Sequence, residues 1–229
     1  MSIYVELKKG LTRVRSRNPD EKLERREAIL DAAEEAFIQQ RFDKTSMNSI
    51  AQSAGFSRGL LYVYFHDKED IHIGLCARAG DLLHQRMAQY TEKCATGFIA
   101  MAALGEAYLD FYYHERDYFR ILTLASGLAN IKHNAEKEIT PSQQAFIAAE
   151  KRIMTLMASC VQRGIDDHSV DTNVITDPMK TAMYMRGSLH GLIMLQDAGG
   201  SSLFDIEGID RQAWLAQCKT LISRAMAPK

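Results

Sequence analysis

The side chains best suited to binding chemistry lie close together in the first third of the chain. Arg58 and Lys68 are cations that can pair with phosphate oxygens. Tyr62 and Tyr64 lie between them, and a tyrosine can bury its ring while its hydroxyl reaches a phosphate. Because these residue types suit both phosphates and base edges, we interpret the segment as a nucleic-acid surface.

Two short helices are predicted to position these side chains. Ser46 and Ser57 are both suitable caps, because a serine hydroxyl can accept from a backbone amide that has no partner in the first turn. Ile50 and Ala51 supply an apolar face, and Gly55 can adopt positive φ between the helices. Two helices joined by a short glycine-containing turn are typical of a helix-turn-helix that reads DNA.

An enzymatic alternative arises from residues 55–59, whose sequence GFSRG fits the GxSxG pattern of α/β-hydrolases. In those enzymes the serine lies on a sharp strand-to-helix turn above a parallel sheet. Here residues 48–53 are predicted to be helical, and no segment shows the sustained alternation of a strand. We therefore interpret Ser57 as a helix cap and predict that the protein is not an enzyme. A serine hydrolase would require ester turnover that Ser57→Ala abolishes.

The order of residues through this segment is more demanding than a helix-turn-helix alone. Over about residues 23–75 it resembles the N-terminal DNA-binding domain of the TetR family of bacterial transcriptional regulators. The matching positions are Thr45-Ser46, Ile50-Ala51, Ala54-Gly55-Phe56-Ser57, Gly59, Leu61-Tyr62, Tyr64-Phe65 and Lys68-Glu69. In that family the matching tyrosines and lysine contact the DNA backbone. The predicted DNA-binding residues are Ser46, Ser57, Arg58, Gly59, Leu60, Tyr62, Val63, Tyr64 and Lys68.

Val63 departs from the family pattern, because many relatives carry a histidine at this position. A valine side chain cannot donate a hydrogen bond, although it can pack against a thymine methyl group. The operator sequence of a relative therefore cannot be transferred to this chain.

The distribution of charge limits how the chain can attract DNA. The net charge is −1, and residues 18–70 contain seven basic and eleven acidic side chains. Residues 1–17 contain five basic and one acidic side chain, and this arm is interpreted either as a DNA contact or as a solvated tail. Binding is therefore expected to depend on a few placed cations and helix N-termini, not on a broad positive field.

Composition favours a soluble, cytoplasmic protein, with 46% hydrophobic and 25% charged residues. No run approaches the roughly 18 apolar residues of a membrane span, and no secretory leader is apparent. The four cysteines are widely spaced and predicted to be reduced.

No cofactor and no metal are predicted. Asp110, His114 and Asp117 share one helical face, but they diverge too far for a compact metal site, which favours a solvated polar face.

Hydrophobic periodicity predicts an all-α protein of about nine helices. Helix starts are expected at Asn18-Pro19, Asp67, Thr140-Pro141 and Asp177-Pro178, with a last helix from about Ile209. The predicted domains are a basic N-terminal arm at 1–18, a three-helix helix-turn-helix DNA-binding domain at 19–66, and a larger helical effector-binding and dimerisation domain at 67–229.

Aromatic residues concentrate between Tyr108 and Phe119, where six of the chain's nineteen lie. One interpretation is a core helix, and the other is a ligand pocket, since such sites are mainly apolar and aromatic. Eleven methionines would give a pocket adaptable walls. The resemblance favours a pocket but does not identify its ligand, which we predict to be a small apolar effector. Arg186 is interpreted as the anchor of a ligand that carries a carboxylate, or else as part of a buried ion pair or of the dimer face. Seven residues are predicted to line the pocket. These are Tyr108, Tyr112, Phe119, Phe146, Met154, Met183 and Arg186.

We predict a homodimeric transcriptional regulator, a repressor that an apolar effector releases from a near-palindromic, double-stranded operator. The dimer is expected to use two late helices. Its predicted interface residues are Met179, Leu189, Ile193, Trp214, Cys218, Leu221 and Ile222. The alternative is an architectural or division-control protein of the same fold that binds DNA without an effector. Many dispersed DNA sites, instead of one or two promoter sites, would favour that alternative.

Overall fold

The computed structural model describes residues 19–128, 139–197 and 201–228. Within those ranges the chain forms ten α-helices and one short 3-10 helix, Phe42–Lys44, and no strand. The prediction of an all-α fold is confirmed. The helices are α1 (Pro19–Gln40), α2 (Met47–Ser53), α3 (Arg58–Tyr64), α4 (Lys68–Thr91), α5 (Gly97–His114), α6 (Arg116–Leu128), α7 (Pro141–Asp166), α8 (Pro178–Asp197), α9 (Ser201–Ile206) and α10 (Arg211–Met226).

The structure adds one helix, α9, to those that the sequence predicts. It spans only six residues, which is too short for a periodic pattern to identify it. The following helix begins at Arg211, where the Asp210 carboxylate accepts from the backbone amide of Ala213 at 2.6 Å. The expected caps at Asp67 and Thr140 are confirmed, since each side chain accepts from a backbone amide three residues later. The expected cap at Asn18 lies outside the described residues.

The chain divides into two compact units, and the division falls inside α4, between His72 and Ile73. In the first unit, α1 packs against α2, and α2 packs against α3. Phe37, Ile50 and Phe65 are all buried in this unit. The small core fixes the angle between α2 and α3, on which any contact with DNA depends.

In the second unit, α7 packs against both α5 and α8, and α8 packs against α10. The start of α5 lies directly on the backbone of α7. A Cβ atom added to Gly97 would lie 2.0 Å from the amide nitrogen of Gly164, so only a glycine fits there. Asp167 and Ser169 then accept from the first amides of α5, those of Gly97 and Phe98, at 2.7 and 2.9 Å. Within the described ranges no helix is long and apolar enough to cross a membrane.

Candidate functional site

Local hydrogen bonds fix the start of α2, the helix that precedes the turn. The Ser46 hydroxyl accepts from the Ser49 amide at 3.1 Å, and the Ser49 hydroxyl accepts from the Ser46 amide at 3.0 Å. This reciprocal pair fixes the start of α2. After α2, Gly55 has φ of +69°, a conformation that favours glycine, and the predicted positive φ is confirmed.

Ser57 is the cap of α3, as predicted. Its hydroxyl oxygen accepts from the amide of Leu60 at 3.2 Å. The segment before it is helix α2 and a turn, and the described part of the chain has no strand that could place a serine above a sheet. The GxSxG pattern at residues 55–59 therefore lacks the setting that a hydrolase nucleophile needs.

The exposed face of α3 carries three of the predicted DNA-binding side chains. Val63 is 69% exposed, and Arg58 and Tyr62 are exposed beside it. One guanidinium nitrogen of Arg58 donates to the Tyr62 hydroxyl at 3.2 Å, and the guanidinium carbon lies 5.6 Å from the centre of the tyrosine ring. This contact orients Arg58 along the helix, and because both groups are exposed it can rearrange at little cost.

Gly59, Leu60 and Tyr64 complete the predicted surface of α3. Nothing lies within 4 Å of a Cβ atom built on Gly59, so the folded chain does not itself require a glycine there. A small residue at an exposed position leaves room for another molecule to approach the backbone. Leu60 and Tyr64 are half-buried, and each therefore combines an internal contact with an accessible edge.

Lys68, which is predicted to contact the DNA backbone, is engaged within the first unit. Its ammonium group donates to the carbonyl oxygen of Phe42 at 2.9 Å and lies 4.2 Å from the centre of the Phe42 ring. The first turn of α4 is also occupied, because the Asp67 carboxylate accepts from the Asp70 amide and the Asp70 carboxylate accepts from the His66 amide. A phosphate at this helix N-terminus would have to compete with these two carboxylates.

A cavity of about 80 Å³ lies in the second unit among α5, α7, α8 and α10, with one residue of α4. Its lining is rich in methionine and includes Met87, Met101, Met157, Met185 and Met226. Drug-sized ligands occupy pockets of roughly 300–1,000 Å³. The observed volume therefore corresponds to a contracted cavity whose flexible methionine side chains would have to move to admit such a ligand.

Two of the predicted pocket residues, Tyr108 and Arg186, line this cavity. Tyr112 and Phe119 are buried in an aromatic cluster with ring centres 5.0 Å apart, and they are not among its lining residues. Met183 is 62% exposed on α8 and is not among them either. Met185 does line the cavity, because side chains two residues apart on an α-helix point about 200° apart around its axis. Phe146 and Met154 are half-buried, and neither lines the cavity.

Arg186 is already paired, which bears on its predicted role as an anchor for a carboxylate. Its two guanidinium nitrogens donate to the two carboxylate oxygens of Glu150 at 2.5 and 2.8 Å. Burial opposes the positive charge, yet the hydrogen bonds and the charge of Glu150 outweigh that effect and raise the pKa of Arg186. An incoming carboxylate would have to displace Glu150.

Tyr108 connects the cavity to His190. The tyrosine hydroxyl lies 2.8 Å from Nδ1 of His190. Burial raises the pKa of Tyr108 to about 12, so the phenol keeps its proton. Burial, and secondarily the charge of Arg186, lower the pKa of His190. A neutral His190 can accept a hydrogen bond from the phenol at Nδ1, which holds the two side chains together.

The predicted dimer residues fall into an exposed and an internal group. Met179 and Leu221 are exposed, whereas Leu189 and Ile193 are buried within the unit. Leu189 and Ile222 line the cavity, Cys218 is half-buried, and Trp214 packs edge-on against Phe204. Asp110, His114 and Asp117, which we interpret from the sequence as a polar face and not as a metal site, all contact side chains that can carry the opposite charge. Asp110 pairs with Arg86 and His114, and Asp117 pairs with Arg120.

The exposed face of α8 includes residues that the sequence prediction omits. Gly187 and Gly191 are exposed, and a Cβ atom built on either would have open space around it. Met183, Tyr184 and Leu195 are exposed on the same helix. Large apolar side chains and two glycines therefore share one exposed face of α8. The four-residue spacing of the glycines in the sequence could have identified this face.

Comparison with known proteins places the first unit in a family. Residues 29–73 match the model of bacterial regulatory proteins of the tetR family. The transcriptional activator FasR of Mycolicibacterium smegmatis is 29% identical over 99 residues, which cover 43% of this chain and 45% of the relative. The transcriptional repressor BepR of Brucella suis is 41% identical over 63 residues, which cover 28% of this chain and 30% of the relative.

Solved structures provide a comparison over most of the chain. The transcriptional regulator FadR from Bacillus subtilis, in complex with stearoyl-CoA, superimposes with a TM-score of 0.58 at 18% identity, covering 86% of this chain and 97% of that one. At this identity the likeness concerns the fold. The aligned segments span less than half of the length of the two curated relatives.

Proposed function

We propose that this chain, which belongs to the tetR family of bacterial regulatory proteins, is a homodimeric DNA-binding repressor. A small apolar ligand lowers its affinity for the operator. The observation that carries the proposal is the exposed face of α3, on which Arg58, Tyr62 and Val63 project from a helix with a capped, well-defined start. A helix of this kind, preceded by a second helix and a glycine turn, fits the major groove.

The residues of α3 divide into readers and anchors. Arg58, at the start of the helix, is proposed to contact a base edge, and Val63 to pack against a thymine methyl. Tyr64 and Ser57 are proposed to contact phosphates, and the open position at Gly59 allows the backbone of α3 to approach the DNA. Lys68 would contribute through its charge once its contact with Phe42 loosens.

A dimer is needed to read a near-palindromic operator, and the face of α8 supports one. Met179, Met183, Gly187, Gly191 and Leu195 follow one another at intervals of four residues, and all five are exposed. In a two-fold interface this stripe would meet its own copy, and the glycines would let the two helices approach closely. Leu221 of α10, 59% exposed, would extend the same interface.

The interface is tested by sedimentation of Leu221→Arg. We expect this variant to be monomeric at concentrations at which the native protein is a dimer. Ile147→Arg is the matched control, because Ile147 is also an exposed apolar residue but lies on α7. A dimer that persists in Leu221→Arg, or one that Ile147→Arg disrupts, would place the interface elsewhere.

An apolar effector is supported by the methionine-lined cavity in the second unit. The structural relative FadR is described as a complex with stearoyl-CoA, which shows that a chain of similar fold can hold a ligand with a long apolar part. If the ligand weakens operator binding, bound operator must weaken ligand binding by the same factor, typically 1–3 kcal/mol.

Repression is proposed from the family resemblance. A reporter gene downstream of the operator tests it, since expression should rise when the regulator is deleted.

DNA recognition is tested with binding sites selected from random DNA. We expect Arg58→Ala to lose about 1–3 kcal/mol of discrimination between the selected site and random DNA. Tyr64→Phe should weaken binding to both, and Lys68→Ala should also reduce the dependence on salt. Lys151→Ala is the control, since it removes one exposed positive charge from the second unit. Equal affinities for all four variants and the native protein would exclude α3 as the reading helix.

A further inference from the structure

Glu106 of α5 and Lys219 of α10 form an ion pair, here called the mouth pair, that lines two different spaces. On one side lies the methionine-lined cavity. On the other lies an open groove that also includes Tyr90, Tyr113 and His114. Because both residues belong to both linings, the mouth pair stands where the apolar interior meets the polar exterior.

The inner space is suited to an unbranched aliphatic chain. Five of its sixteen lining residues are methionines and two are leucines, and its contracted volume of about 80 Å³ must expand to admit a ligand. Methionine side chains have three rotatable bonds, so they can separate to admit a narrow, flexible chain. A polar head group on such a chain would remain near the mouth.

The charges that face the cavity favour an anionic head. Lys219, Arg186 and Glu106 are the charged residues of its lining, and each of the two cations is paired with one carboxylate. Arg186 is neutralised by Glu150, which leaves Lys219 as the cation able to change partner. Its side chain is 31% exposed, whereas that of Glu106 is 53% exposed. Glu106 can therefore turn into water at lower cost than Lys219.

We propose that the second unit binds an anionic amphiphile, with its aliphatic chain among the methionines and its head taking the place of Glu106 beside Lys219. This inference rests on the proposed function, in which the second unit holds an effector, and it names the chemical class of that effector. Ion pairs as exposed as the mouth pair contribute little to stability, so exchanging one carboxylate for another is inexpensive.

The groove remains accessible in the proposed dimer. Leu221 follows Lys219 by two residues, so the two side chains lie on opposite sides of α10. Tyr90, Tyr113 and His114 in the groove can contact whatever extends beyond the head group, and Asp110, the other carboxylate of the groove lining besides Glu106, is paired with Arg86. The head can therefore be a free carboxylate or the phosphate-bearing part of an activated acyl thioester. Both present an anion at the mouth.

The test compares four twelve-carbon ligands with the native protein by calorimetry and thermal shift. Dodecanoate and dodecanoyl-coenzyme A represent the two sources of the anion, and 1-dodecanol and dodecylamine carry a neutral and a cationic head. We expect one or both anionic ligands to bind at least tenfold more tightly than the alcohol and the amine. Equal or tighter binding of the alcohol or the amine would overturn the proposal, and so would no binding of any chain.

Two substitutions then locate the ligand. Lys219→Met should reduce the affinity for the anionic ligand at least tenfold, whereas Lys219→Arg should retain it and Lys151→Met should leave it unchanged. Gly105→Leu should abolish binding, because a Cβ at Gly105 points toward Leu189 across the lining and lies 3.9 Å from it. Replacing a glycine within α5 should not prevent folding, which circular dichroism verifies. Native affinity in both Lys219→Met and Gly105→Leu would overturn the assignment.

Affinity for the selected DNA site separates this inference from the proposed function. Each variant, measured without ligand, should bind DNA like the native protein. If the native protein binds its DNA site but no amphiphile, the inference alone fails. If it binds the amphiphile but no specific DNA, the proposed regulator fails and the ligand assignment stands.

Discussion

The two units of this protein are held together in different ways. In the first unit the helix-turn-helix is fixed by partners three residues apart, Ser46 with Ser49 and Ser57 with Leu60. In the second unit the start of α5 is fixed by Asp167, 70 residues away, and the mouth pair joins residues 113 apart. A local motif can be recognised from a short stretch of sequence, whereas a site built from distant residues depends on how whole helices pack.

The largest effect should come from the backbone contact between α5 and α7. Gly97→Ala places a Cβ 2.0 Å from a backbone nitrogen that cannot move alone. We expect it to destabilise the second unit by more than about 3 kcal/mol. Urea unfolding followed by the emission of Trp214, the only tryptophan, measures this. Gly105→Ala is the control and should unfold at the same or higher urea concentration, as its Cβ meets Leu189 at an ordinary distance.

A smaller effect is expected from the half-buried ion pair between Arg186 and Glu150. Arg186→Met should destabilise the second unit by about 2 kcal/mol, because it leaves the carboxylate of Glu150 half-buried without its partner. The double variant Glu150→Met/Arg186→Met should recover most of that loss. Failure of the double variant to recover would mean that the pair stabilises the unit beyond neutralising Glu150.

In the first unit a single cap should account for about 1 kcal/mol. Ser57→Ala removes the acceptor for the Leu60 amide, and Ser57→Asp restores one. Hydrogen exchange of the α3 amides should be faster in the alanine variant and near native in the aspartate variant. Unchanged exchange in Ser57→Ala would mean that packing, not the local cap, defines the start of α3, and the contrast between the two units would weaken.

The smallest effect concerns pH. The pKa of His190 is lowered in the folded protein, so the unfolded chain takes up the proton first as the pH falls. The second unit should therefore lose stability as the pH drops below about 6.5, the ordinary histidine pKa, down to the lowered folded pKa. His190→Gln should flatten this part of the profile, measured as urea midpoints between pH 5 and 8. An identical slope in the variant would assign the dependence to other groups.

Sequence alone predicts the features whose causes are local. The caps at Ser46 and Ser57, and the positive φ at Gly55, follow from residue type and position. The engagement of Lys68 with Phe42 does not, because the partners are 26 residues apart and meet only when the 3-10 helix Phe42–Lys44 lies beside the start of α4 within the first unit.

The cavity was harder to predict for the same reason. Met183 and Met185 are alike in type and lie two residues apart, and only the orientation of α8 decides which of them lines the cavity. The orientation depends on α5, α7 and α10, none of which is adjacent to Met183 in sequence. The aromatic cluster at Tyr112 and Phe119 forms part of the core, so the core interpretation left open by the sequence describes those two residues.

The methionines that line the cavity also bear on its selectivity. A wall of branched side chains fixes one shape, whereas Met87, Met101, Met157, Met185 and Met226 can reshape around ligands of different length. Surfaces of this kind are typical of promiscuous binders. We therefore expect the protein to respond to a graded series of chain lengths with similar, moderate affinities, so that it would report the total concentration of a chemical class more faithfully than that of a single compound.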